Sequence, residues 1–85
     1  MPVGELRERL KEALIDLDEE GFFSALRQLL AEGEDPWSII LGPMSETMDE
    51  IGRLYEEGEY SIAEMLVAAD IFKRSEGNEN RRGRP

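Results

Sequence analysis

Apolar side chains return along this chain at intervals of three and four residues, and no stretch alternates with period two for long enough to make a strand. Such spacing gathers the apolar residues on one face of an α-helix, so the fold it predicts is helix packed on helix. Four stretches carry the pattern. The first covers residues 5–17, with Leu6, Leu10, Ala13, Leu14 and Leu17 on one face and Glu8, Arg9, Glu12 and Asp16 on the other. The second, 20–32, follows Asp18-Glu19-Glu20, whose charges suit the positive end of a helix dipole. It carries Phe22, Phe23, Leu26, Leu29 and Leu30 and stops at Gly33, a residue free to take the left-handed conformation that ends helices.

The third stretch, 36–57, opens on Asp35-Pro36, a capping side chain followed by proline at the first helical position. Trp37, Ile40 and Leu41 read as one apolar ridge. Gly42-Pro43 then interrupts, because proline has no N–H and restricts the residue before it; the helix must restart or kink there. Beyond it Met44, Met48, Ile51 and Tyr55 follow at spacings of 4, 3 and 4, and Gly58 ends the run. Ser61-Ile62-Ala63-Glu64 is a capping box, in which Ser61 and Glu64 satisfy one another's free backbone donors. It opens a fourth helix over 61–73, with Ile62, Met65, Leu66, Ala69 and Phe72 expected inward. Past Lys73 the periodicity is lost, and a disordered basic tail is expected over 74–85. Short connections favour antiparallel neighbours, so the expected architecture is an all-α four-helix bundle over residues 1–73.

Composition narrows the chemistry. A chain of 85 residues buries roughly 60–65% of its unfolded surface, enough for one core and little else. It has no cysteine and no histidine. Disulfides, thiolate metal sites, histidine ligands and the usual general base near neutral pH are therefore absent. Residues 1–72 hold 18 acidic and 5 basic side chains, and residues 73–85 hold 2 and 5. An acidic body repels a phosphate backbone, so nucleic acid is not an expected partner. No apolar run approaches the roughly 20 residues needed to span a bilayer, and the first residues lack the pattern of a signal peptide; a cytoplasmic location is the expectation. Glu46, Asp49, Glu50, Glu56, Glu57 and Glu59 lie between the ridge residues of the third helix and read as a solvated face rather than a metal site. Met44, Met48 and Met65 read as core filling. No catalysis by this chain alone is expected.

One segment is more specific than the rest. In Ile51-Gly52-Arg53-Leu54-Tyr55-Glu56-Glu57-Gly58-Glu59-Tyr60-Ser61-Ile62-Ala63-Glu64, Gly52 sits inside a helix, at a cost of about 1 kcal/mol against alanine. Such a glycine usually marks close approach of another element. The segment resembles the helical cap of cobalamin-dependent methyl-transfer proteins, namely methionine synthase and the corrinoid proteins of methylamine and methanol methyltransferase systems. Their caps read Val-Gly-Glu-Leu-Phe-Glu-x-Gly-Glu-x-Phe-Leu-Pro-Glu, followed by an apolar helix with Ala-Ala. Ile51-Gly52, Leu54-Tyr55-Glu56, Gly58-Glu59, Ile62, Glu64 and Ala68-Ala69 stand at the matching places. Glu32-Gly33, Asp35-Pro36 and Gly42-Pro43-Met44 extend the likeness upstream, so that it covers roughly residues 5–73.

The resemblance implies a four-helix bundle lying over the upper, methyl-bearing face of a corrinoid, with Tyr55 and Ile62 against the methyl, Gly58 turning the chain between them and Tyr60 on the same face. It also implies that the chain departs from the family. Tyr55 stands where phenylalanine is common, Ser61 where an aromatic is usual and Ala63 where proline is usual. The Asp-x-His-x-x-Gly motif of the following α/β domain, whose histidine binds cobalt, has no counterpart here. The chain alone is therefore expected to bind cobalamin weakly. Its implied partners are a corrinoid-binding α/β domain or a methyltransferase, and a second copy is expected to cover the apolar face. The alternative is a cofactor-free interaction module that keeps the cap fold.

Overall fold

Helix α1 (Val3–Ile15) buries Leu6, Leu10, Ala13 and Leu14 and leaves its charged residues outside, as its spacing requires. The computed structural model describes the backbone of residues 2–83 and the side chains of residues 2–76. The α1 helix ends in a left-handed residue that is not glycine: Leu17 has φ 59°, which costs an L-residue about 1 kcal/mol. Two bonds hold it there, Asp18 N–H to the Ala13 carbonyl at 2.8 Å and Leu17 N–H to the Leu14 carbonyl at 3.1 Å. The Leu17 side chain also packs against the core.

Helix α2 (Glu19–Ala31) starts from Asp18, whose carboxylate accepts the Gly21 N–H at 3.0 Å, and it buries Phe22, Ala25 and Leu29. It returns antiparallel along α1, and the ion pair between Arg7 and Glu34 closes the open end of this hairpin. The two helices form the most extensive packed pair in the fold.

Proline 43 neither restarts nor breaks the next helix. Helix α3 (Pro36–Ile39), capped by Asp35 on the Ser38 N–H at 3.1 Å, runs into a π-turn (Ile40–Met44) and on into α4 (Ser45–Glu56). The Ser45 N–H reaches back five residues to the Ile40 carbonyl, which also accepts the Ser45 hydroxyl at 2.8 Å. Thr47 Oγ1, buried, donates to the Pro43 carbonyl at 2.7 Å. The wide turn gives the proline ring room and needs no hydrogen from it.

The same turn overturns the expected ridge. In an unbroken α-helix, Trp37, Ile40 and Leu41 share a face with Met44. The extra residue of the π-turn rotates what precedes it, so Ile39 and Ile40 join Met44, Thr47 and Ile51 inside. Trp37 and Leu41 are instead 56% and 72% exposed.

Helix α5 (Ile62–Gly83) opens on the capping box as expected: Ser61 N–H donates to Glu64 Oε1 at 2.8 Å and Glu64 N–H to Ser61 Oγ at 3.1 Å. Its inward face differs from the expected one. Ala68, Ile71 and Ser75 are buried and Met65 and Phe72 half-buried, while Ile62, Leu66 and Ala69 face outward. This helix carries apolar side chains on two stripes, and the one through Met65, Ala68, Ile71 and Phe72 goes in. It also passes the expected end at Lys73. Arg74 pairs with Glu19 and Asp70 and lies 5.8 Å over the ring of Phe23, which draws the helix against α2. Arg84 and Pro85, and the side chains of 77–83, belong to the segment expected to be disordered and lie outside the described residues.

Counting α3, the π-turn and α4 as one rod, the chain is the expected all-α bundle of four helices, with no strand among the described residues. No helix among them is long and apolar enough to cross a membrane.

Candidate functional site

The last turn of α4 and the first turn of α5 meet at one end of the bundle. Gly58 makes the reversal with φ 81°, a left-handed conformation suited to glycine. Its N–H donates to the Tyr55 carbonyl at 3.1 Å, and the Glu59 N–H to the Leu54 carbonyl at 2.9 Å, closing the end of α4. Tyr55 and Ile62 therefore flank one short turn from two fixed helix ends. Both are large, apolar and open, 42% and 62% exposed. Leu66 lies one turn beyond Ile62 at 66% exposure, and Val67 is exposed beside it. The spacing of α5 alone gives no sign of this, since Leu66 reads equally well as core.

Tyr60 takes a different place from the other three expected site residues. It is turned into the bundle, 7% exposed, and its hydroxyl donates to the Ile15 carbonyl at 2.7 Å. Burial raises the phenol above its ordinary pKa, helped by the negative charges of Glu64 and Asp16. Gly52 also departs from expectation: a Cβ built on it would meet nothing within 4 Å, so no other element among the described residues approaches it. Met44 is buried and Met48 and Met65 half-buried against the core. Glu56, Glu57 and Glu59 ring the turn as exposed side chains, with Glu57 3.6 Å from Arg53. Among the described residues no three acidic or other ligating side chains converge on a point that would hold a metal ion.

A family model described as a B12 binding domain matches residues 6–75. The chain belongs to that family. The B12 binding domain match takes in α1 to α4 and the buried part of α5. Two relatives are similar over the same extent. The trimethylamine corrinoid protein 1 of Methanosarcina acetivorans is 32% identical over 68 residues, 80% of this chain and 32% of the relative. The trimethylamine corrinoid protein of Methanosarcina barkeri is 32% identical over 68 residues, 80% of this chain and 31% of the relative. The chain thus spans about a third of the length of the curated relatives it matches. No solved structure matches it at a significant level. The resemblance carried by the segment from Ile51 to Glu64 is borne out, and the chain is a corrinoid-related helical module.

Proposed function

We propose that this B12 binding domain covers the upper, methyl-bearing face of a corrinoid held by another domain or chain, and is not itself a catalyst. The observation that carries the reading is the pair Tyr55 and Ile62, presented open on two helix ends that a single glycine turn holds together. Exposed apolar side chains cost solubility unless something covers them, and a flat apolar ligand fits two side chains offered from adjacent ends. The residues present suit a lid and not a holder: without histidine, the chain offers no imidazole to the cobalt. The methyl chemistry belongs to the corrinoid. What Tyr55 and Ile62 contribute is exclusion of water from its upper face. A corrinoid-binding α/β domain or a methyltransferase is the partner this reading requires.

The test is photolysis of methylcobalamin carried on a separately supplied corrinoid-binding α/β domain. The chain is expected to slow loss of the methyl under fixed illumination while changing the visible spectrum of free methylcobalamin little. No slowing with any such domain sinks the reading.

A second reading rests on Leu66 and Val67, which extend the apolar surface further than the Tyr55–Ile62 pair needs. Such a patch pairs two copies of the chain in solution, with or without a corrinoid. Sedimentation is expected to give a dimer that Ile62→Glu converts to monomer with helicity unchanged. A wild-type monomer at high concentration excludes it.

A further inference from the structure

The C-terminus of α1 leaves its last carbonyls without helical partners. Glu12 O accepts the Asp16 N–H, Ala13 O the Asp18 N–H and Leu14 O the Leu17 N–H. Ile15 is the carbonyl left over, and its bond comes from a residue 45 positions away, the Tyr60 hydroxyl. Tyr60 lies between Gly58 and Ile62, in the turn that joins the two helix ends bearing the open side chains. Its buried ring sits in the core cluster, and its oxygen caps a helix to which the turn is not otherwise bonded among the described hydrogen bonds. A loop tied at one point to a rigid helix end has few ways to move.

We propose that Tyr60 is the positioning residue of this site: its bond to the Ile15 carbonyl fixes the α4–α5 turn against the end of α1 and so sets how Tyr55 and Ile62 are presented. The inference rests on the covering role proposed above for what the presentation achieves, but the tether itself is independent of it. Removal of the hydroxyl leaves the ring to fill its place in the core, so the turn loosens while the bundle stays folded. Ionisation has the same effect, since a phenolate has no hydrogen to donate. Glu64 on α5 and Asp16 at the end of α1 are the charged groups facing the phenol, and together with burial they hold it neutral. Because its folded pKa is raised, the tether is fully present below the ordinary phenol value and is lost as pH rises through the folded one.

Tyr60→Phe tests this in the full chain. Exchange of the Gly58 and Glu59 amides is expected to quicken about three- to tenfold, the worth of one net hydrogen bond, with the Leu10 and Leu29 amides unchanged. In the methylcobalamin assay the variant is expected to lose most of the shielding, and its pH profile to be flat where the wild-type profile falls above the ordinary phenol range. Equal exchange at Gly58 and Glu59 in both proteins overturns the tether. Full shielding by Tyr60→Phe, with wild type also shielding, overturns the positioning role. If wild type does not shield, the covering role fails and the exchange result alone decides the tether.

Discussion

Replacing Tyr55 and Ile62 together by alanine is expected to abolish shielding of the methylcobalamin carried on a separate corrinoid domain, while shifting the melting temperature by no more than about 8 °C. The two halves of this expectation come from the same fact. Neither side chain belongs to the core, at 42% and 62% exposure, and surface substitutions of this kind cost about 0.5 kcal/mol each. In a domain of this size 1 kcal/mol moves the melting temperature by roughly 4–8 °C. Alanine also favours the helix slightly over isoleucine and tyrosine, which works against any loss. The proposed lid, by contrast, consists of those side chains. Each single variant is expected to show partial loss, since either residue leaves half of the methyl's surroundings open to water. Circular dichroism and the photolysis rate, measured on the same samples, check both halves. Unchanged photolysis with the double variant removes Tyr55 and Ile62 from the site.

The opposite result is expected of Phe22→Ala. Phe22 of α2 is fully buried in the core and meets Phe23 edge-on, with ring centroids 5.1 Å apart. Deleting such a ring costs about 3–5 kcal/mol, from lost burial and from the cavity left behind. The total stability of an 85-residue domain is of the order of 4–13 kcal/mol, so one substitution removes a large share of it. Thermal unfolding is expected to begin at least about 12 °C lower, and shielding to disappear because the bundle does. A drop of less than about 5 °C would mean that the α1–α2 hairpin does not hold the core.

What the sequence made legible follows a physical rule. Features decided by residues close in the chain are visible: Asp35 as a cap, Ser61 with Glu64 as a reciprocal box, Gly33 and Gly58 as left-handed ends. The face of α1 is equally plain because its apolar residues make one stripe. Features decided across the chain are hidden. The inward turn of Tyr60 depends on an unpaired carbonyl 45 residues upstream. The choice between the two stripes of α5 is made by packing against the other helices, which no spacing reveals. The π-turn is an intermediate case: Pro43 announces a disturbance, but Ser45 and Thr47, whose hydroxyls satisfy the carbonyls of the wide turn, are two polar residues among many. The proposed pair, Tyr55 and Ile62 around Gly58, came from the family resemblance. The exposed Leu66 and Val67 beside that pair were not foreseen, because exposure of a leucine is a property of the whole bundle.

The wide turn at Ile40–Met44 also sets what changes of length the chain can absorb. In an exposed loop, a residue gained or lost alters reach and little else. Within a continuous helical rod it is a rotation of about 100°. Loss of Leu41 or Gly42 would leave Ile39 and Ile40 four and three residues before Met44, still facing the core, but would place Pro43 inside a regular turn, where its ring meets the carbonyl four residues before it. Single-residue deletions are therefore far more disruptive in this stretch than conservative substitutions, although nothing in its composition marks it as rigid. A library that varies length should leave residues 40–44 intact and place its insertions elsewhere.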